Sequence, residues 1–415
     1  MNNMAKEIVV PWASWREPEF RTFKFPDSWD VSEGRMNNIA EMPDEKLKEA
    51  ILNPIGTPKL SELALGKENV VIVIDDMSRP TPIYKIIPYV LDEIHSSGIS
   101  KDKVTIIGAV GAHRPLNRHD YILKLGKEIV ESYNIENHHP YENLVELGET
   151  KMGTPLNINK TYYEADLKVA IGGIIPHPLA GYGGGAKIVL PGVCGIETLN
   201  GNHSAGMRAG GGAGMGRITP IREDIEEAAQ RVGLDFSINI ILTENGKIGG
   251  LFAGNFIEAH RKAMELGDEV YNTEVTMDND IAFFNLYPED TELTQGMYKA
   301  FNFLMTAPNK MLKRYATIVI MTDCYEGRGF HSLIAESGAK LYTPINEQII
   351  WKAFVKKRKV LCFSENLSKA DIDHIYGKNA VLFFNKWDAL LKKLNELHED
   401  PIKAIIIPTS IQLCK

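Results

Sequence analysis

Cysteine is scarce in this chain. Four are present among 415 residues, at positions 194, 324, 362 and 414. No two stand at C-x-x-C spacing, so neither a disulfide framework nor a cysteine-rich zinc module is written into the sequence. Free thiols in a reducing compartment are the expectation. Long apolar runs are missing too. No stretch approaches the roughly 20 residues of a membrane-spanning helix. The first residues, MNNMAKEIVVPWASW, hold no apolar core of signal-peptide length. A cytoplasmic protein without membrane association is expected. Cationic excess is absent as well: Lys+Arg total 46 against 54 Asp+Glu, a net charge of −8. A general nucleic-acid binder needs a basic face, so no such partner is expected. A local basic pocket for a small anion is compatible with this balance.

What is there begins with length, enough for two domains whose cores need no staples. Residues 70–97 read strand, turn, helix, and the run VVIVI has the continuous apolar character of a parallel strand buried on both faces. The pattern returns at 103–126, and DLKVAIGG (166–173) makes a further buried strand. Ligands of open α/β sheets bind beyond the carboxyl ends of strands. Asp76 and Arg79 follow the first strand, His113 the second and His177 the third. Arg79 is suited to hold a carboxylate in two-pronged fashion, and two histidines at one sheet edge suit a general acid and base.

The densest small-residue stretch is IGGIIPHPLAGYGGGAKIVLPGVCGIETLNGNHS, residues 171–204. Its glycines, including Gly183, Gly184 and Gly185, allow backbone amides to approach a bound group closely. Lys187 follows directly and His203 later, which together read as a cofactor cradle. Neither standard nucleotide motif is met. The glycines stand too far from the strand for a dinucleotide turn, and Lys187 is followed by Ile188 rather than Ser or Thr. Residues 205–217, again rich in glycine, read as a surface loop or a lid. Thr219 and Pro220 open a helix as N-cap and first turn.

Further apolar strands at 279–285, 316–321, 359–364, 380–384 and 404–408 alternate with helical segments. The expected fold class is therefore α/β: two α/β domains with mostly parallel sheets and the active site in the interdomain cleft. The N-terminal domain, 1–275, would carry the cofactor and catalytic residues, and 276–415 would close the cleft. The last residues are left free to return to the N-terminal domain.

Four motifs in order, DDMSRPTP (75–82), GAHRP (111–115), HPLAGYGGGAKIVLPG (177–192) and NHS (202–204), make the chain resemble the lactate racemase family. The resemblance is most specific between 70 and 205. It implies nickel and a nickel-pincer nucleotide, pyridinium-3,5-bisthiocarboxylic acid mononucleotide, covalently attached to Lys187. It implies His203 as the nickel ligand, His113 and His177 as alternating base and acid, and Arg79 on the substrate carboxylate. Asp76 would support Arg79 or the cofactor, and Gly183 to Gly185 would lie near the cofactor. Gln295, Tyr298 and Lys299 are the implied substrate contacts from the second domain. Maturation enzymes that build and load the cofactor are the implied partners, beside a small 2-hydroxy acid.

The chain departs from the family at Ala186, where an arginine precedes the tethering lysine. It departs again at LTQGMYKA, which puts Thr294 and Tyr298 where the family has tyrosine and lysine, with Lys299 one residue late. One residue turns a helix by about 100°, so a larger or more polar acid such as malate or gluconate stands beside lactate. Different classes remain on the residues alone. These are a pyridoxal-phosphate enzyme using Lys187, a zinc enzyme using His113, His177 and His203, and a non-catalytic ligand-binding protein.

Overall fold

The N-terminal segment alternates Ile8, Val10 and Trp12 inward, and it pairs as an antiparallel hairpin of β1 (Lys6–Trp12) and β2 (Glu19–Phe25). A short strand, β3 (Asp30–Glu33), follows. These positions come from a computed structural model, which describes residues 6–15, 19–208 and 214–415. Residues 209–213 of the expected lid segment lie outside the described residues.

The chain divides into two units. Ile39–Val270 with His331–Leu333 make the first to be considered. Its strands are β4 (Val70–Asp75), β5 (Val104–Ala109), β6 (Asn134–Asn137), β7 (Leu144–Glu149), β8 (Pro155–Asn159), β9 (Leu167–Gly173), β10 (Pro176–His177), β11 (Gly181–Tyr182), β12 (Phe236–Leu242) and β13 (Ile248–Gly254). The main sheet runs β13-β12-β9-β4-β5-β6. All its pairings are parallel except β12 with β13. Every residue of β4, β9 and β12 is buried, as continuous apolar runs covered by helices on both faces require. The parallel arrangement brings the carboxyl ends of β4, β5 and β9 to one edge, in register Ile74 with Ile171 and Asp75 with Ala109. Helix Pro220–Val232 starts as its sequence predicts: Thr219 Oγ1 accepts from the amide of Arg222, and Gly233 closes the helix in the left-handed region at φ 82°.

The other unit holds Tyr271–Phe330, Ile334–Lys415 and the described part of Met1–Asn38. Its strands β14 (Asn279–Asn285), β15 (Leu312–Met321), β16 (Lys359–Phe363), β17 (Leu382–Phe384) and β18 (Lys403–Ile407) form a parallel sheet in the order β17-β16-β15-β14-β18-β3. The α/β class with mostly parallel sheets thus holds. Residues 6–15 and 19–38, expected in the N-terminal domain, belong instead to this unit. β3 adds in parallel to β18, and Trp12, Phe23, Phe25 and Trp29 pack on Phe283 and Phe363 of the C-terminal sheet. Burying four aromatic side chains outweighs proximity in sequence. The last residues also stay here, with Leu413 bridged to Asn272. Among the described residues no helix is long and apolar enough to cross a membrane.

Candidate active site

The edge of the first unit's sheet is built on a buried ion pair. Asp75 ends β4, and one carboxylate oxygen lies 2.5 Å from Lys124 Nζ. Its other oxygen accepts from Thr81 Oγ1 at 2.6 Å and from the Gly173 amide at 3.0 Å. Lys124, fully buried on the helix Arg118–Leu125, also donates to the carbonyls of Asp76 (2.7 Å) and Arg79 (2.8 Å). Burial pushes the Asp75 carboxyl up and the Lys124 ammonium down, and their mutual attraction opposes both shifts. One lysine therefore fixes the turn that presents Asp76 and Arg79. Sequence reading missed it, because a lone lysine in a helix ordinarily faces water.

Asp76 is itself buried, and it holds His113: Oδ2 lies 2.5 Å from Nδ1 of the imidazole. Its other oxygen accepts from the Ser78 amide (2.8 Å) and hydroxyl (2.5 Å). Burial alone would raise the carboxyl, but His113, Arg79 and Ser78 outweigh it and hold Asp76 well below the usual carboxylate range. An ionised Asp76 favours the tautomer of a neutral His113 ring that carries its proton on Nδ1. The expected partner of Asp76 was Arg79 or a cofactor. Arg79 is near enough to lower the Asp76 carboxyl too, and His113 joins it as a hydrogen-bond partner.

His177 sits on the β10–β11 hairpin, paired with Gly181. Its Nδ1 accepts from the amides of Leu179 and Ala180, each at 3.2 Å. In the neutral ring the proton is therefore on Nε2. The two histidines carry opposite tautomers, one presenting a lone pair and the other an N–H.

Lys187 lies on the single turn Gly185–Ile188 and is partly buried. Its charge reaches His203 on the helix Ile196–Arg208. His203 Nδ1 donates to the Leu199 carbonyl at 2.8 Å, which leaves the lone pair on Nε2. Burial, with Lys187 and His113 adding to it, pushes this imidazole down to about 4, so the ring is neutral at pH 7. The neighbouring Asn202 donates to buried Asp224 at 2.8 Å, which also accepts from Thr154 Oγ1 at 2.8 Å. That contact locks the helix bearing His203 onto Pro220–Val232.

The glycine run does not face outward as the sequence reading expects. The amides of Gly183 and Gly185 donate to Ile175 O and Asn239 Oδ1, each at 2.8 Å. A Cβ on Gly183 would lie 2.8 Å from Gly173 O, on Gly184 2.7 Å from Ile174 Cδ1, and on Gly185 2.9 Å from His260 Cδ2. Gly184 and Gly185 also take φ of +70° and +54°. The close approach is to the protein's own strands and helix. Fully buried Arg222 completes the arrangement, its guanidinium donating to the carbonyls of Ala180, Tyr182 and Gly184.

Of the expected substrate contacts, Gln295, Tyr298 and Lys299 lie in the other unit. The expected helix over 293–305 breaks at Tyr298, between Leu293–Gly296 and Lys299–Thr306. Tyr298 donates to Gln348 Oε1 at 3.0 Å, and the Lys299 ammonium is paired with the fully buried carboxylate of Glu289. Among the described residues no three His, Cys, Asp or Glu side chains converge as a metal-ligating set. His113, His177 and His203 thus do not form the zinc site the sequence left open.

One residue near this site had no signal at all in the sequence. His331 bridges backbone to backbone with His113 and is buried beside it.

The same chain features are shared with known proteins. The model described as lactate racemase N-terminal domain matches residues 17–216. Lactate racemase from Thermoanaerobacterium thermosaccharolyticum is 33% identical over 297 residues, 70% of this chain and 68% of that one. Lactate racemase from Lactiplantibacillus plantarum is 34% identical over 310 residues, 72% and 71% of the two chains. The lactate racemase apoprotein structure from T. thermosaccharolyticum matches with a TM-score of 0.77 at 27% identity, covering 98% and 99% of the two chains. A crystal structure of a Thermotoga maritima protein, with a TM-score of 0.68 at 19% identity over 91% and 99%, shares the fold. With two relatives above 30% identity over more than two thirds of their length, the chain belongs to the lactate racemase family and is an isomerase of the racemase type.

Proposed function

We propose that this enzyme racemises or epimerises a 2-hydroxy acid, lactate or a related acid, with a nickel-pincer nucleotide tethered to Lys187. The observation that carries the reading is the pair of opposite tautomers, His113 with its lone pair on Nε2 and His177 with its proton there. The residues present fit the cofactor. His203 offers one neutral imidazole nitrogen to nickel, and Lys187 offers an amine within electrostatic reach of it. When bound, the group supplies a reversible hydride acceptor for the substrate carbon.

The chain's own residues supply the rest. Arg79 binds the carboxylate. His113 Nε2 takes the hydroxyl proton of one enantiomer, and Asp76 stabilises the imidazolium that forms. His177 Nε2–H returns a proton to the oxygen once the 2-keto acid has turned over. The direction reverses when the two rings exchange their protons. Two histidines are needed because the hydroxyl changes place between enantiomers. A larger or more polar acid such as malate or gluconate is the second reading. It rests on the departure from the family pattern at Thr294, Tyr298 and Lys299.

The test is intact-mass and metal analysis of the chain co-produced with cofactor-maturation enzymes. An adduct of several hundred daltons on the Lys187 peptide, absent in Lys187→Arg, with stoichiometric nickel, is expected. Loss of optical activity across a panel of 2-hydroxy acids then identifies the substrate. Neither adduct nor nickel, in a host that matures a related racemase, overturns the reading.

A further inference from the structure

His331 reaches the site from far along the sequence. The chain around it belongs to the other unit, yet residues 331–333 pack with the first. His331 and His113 form an antiparallel bridge, and Ser332 donates its amide to Ala112 O at 2.9 Å. Residues opposite each other in such a bridge place their side chains on the same face. Here the rings stand 4.9 Å apart between centroids, at an interplanar angle of 64°. This is the edge-to-face range of aromatic pairs.

We infer that His331 is a positioning residue for His113: its ring, held against the imidazole by the backbone bridge, fixes the rotamer in which His113 Nε2 exchanges protons with substrate. This rests on the proposed function for His113. Asp76 Oδ2 and Ser78 Oγ lie 2.5 and 3.4 Å from Nδ1 at one end of the ring, and the His331 ring stands against the imidazole beside them. His331 is itself fixed, since it is 7% exposed and its Nδ1 accepts from the Leu333 amide at 3.3 Å. Burial pushes the His331 imidazole well below its ordinary value.

The requirement is for a ring, so His331→Phe should preserve the device and His331→Ala should abolish it. In the apoprotein, the Nδ1–H of His113 bonded to Asp76 is expected as a downfield proton resonance, assigned by its loss in His113→Gln. It should persist in His331→Phe and exchange away in His331→Ala, with melting temperatures showing both folded. In the loaded enzyme, His331→Ala should lower kcat by about 10- to 100-fold with KM within about twofold, while His331→Phe stays within about threefold of wild type. An alanine variant that keeps both the resonance and kcat overturns the inference. So does a phenylalanine variant as impaired as alanine, which would assign the role to the imidazole nitrogens. Failure of loaded wild type to racemise any 2-hydroxy acid would sink the proposed function instead, and the apoprotein resonance would still decide the packing role.

Discussion

At the scale of residues, the site depends on which nitrogen of each histidine carries its proton. Asp76 sets this for His113 through a 2.5 Å contact, and two backbone amides set it for His177. Asp76→Asn preserves the shape but presents an amide that favours the wrong tautomer. Its kcat should fall by about 10²- to 10⁴-fold, with a smaller change in KM. Steady-state racemisation of the loaded variant measures this, and a loss below about threefold would remove Asp76 from the mechanism. The folded-state value of Asp76 is depressed, so the stability it contributes is complete above the ordinary carboxylate range. That contribution is lost only as pH falls through the depressed value. The substitution should therefore cost stability at neutral pH and little in strong acid.

At the scale of elements, the segments around the site are held by neutral histidines. His138 is 1% exposed. It donates from Nε2 to Cys194 O at 2.8 Å, and its Nδ1 lies 3.4 Å from Asn159 Nδ2. Burial pushes it down to about 4. His260 donates to Gly183 O at 2.8 Å, faces Arg261 through Nδ1, and is pushed well below the usual range by burial and by Arg222. Each binds its proton more readily unfolded than folded. Their stabilising effect is full above about pH 6.5 and is lost as pH falls through the folded values, at roughly 3 kcal/mol for a shift like that of His138. Denaturant midpoints should thus drop between about pH 6.5 and 4, more gently in His138→Gln. An unchanged pH slope in that variant would show that His138 is not kept neutral by burial.

At the scale of the whole molecule, the chain leaves one unit and returns to it. Residues up to Asn38 complete the sheet of the C-terminal unit through β3, and the intervening residues form the other. A chain starting at residue 39 retains every residue assigned here to the proposed site. It nevertheless loses Trp12, Phe23, Phe25, Trp29 and Val31 from the C-terminal core. At about 1.5–3 kcal/mol per buried large side chain, this is comparable to the whole net stability of a domain, roughly 5–15 kcal/mol. Expression of 39–415 should yield a chain whose C-terminal unit is open to limited proteolysis within 271–330 and 334–415, while 39–270 resists. Equal resistance of both units would show that the N-terminal segment is dispensable.

The strands were readable because period and composition report burial directly. VVIVI and VAIGG are apolar or small on consecutive positions, and each lies in a fully buried strand with parallel neighbours. His113 and His177 were readable as candidates because parallel strands bring their carboxyl ends to one edge. The partners of these residues were not readable. Asp76 with His113, Lys124 with Asp75, and His331 with His113 join positions 37, 49 and 218 residues apart, and no local pattern encodes such pairings. The glycines of 183–185 were readable as sites of close approach, but only packing decided that the approach is to Gly173, Ile174 and His260. By itself the sequence determined the α/β class and the motifs that mark the family, because local periodicity and short spacings are properties of neighbouring residues. Tertiary structure alone decided where residues 6–15 and 19–38 pack, which hydrogen-bond partners select the tautomer of each site histidine and that Lys299 pairs with Glu289, because hydrogen bonding and burial depend on groups that only folding brings into contact.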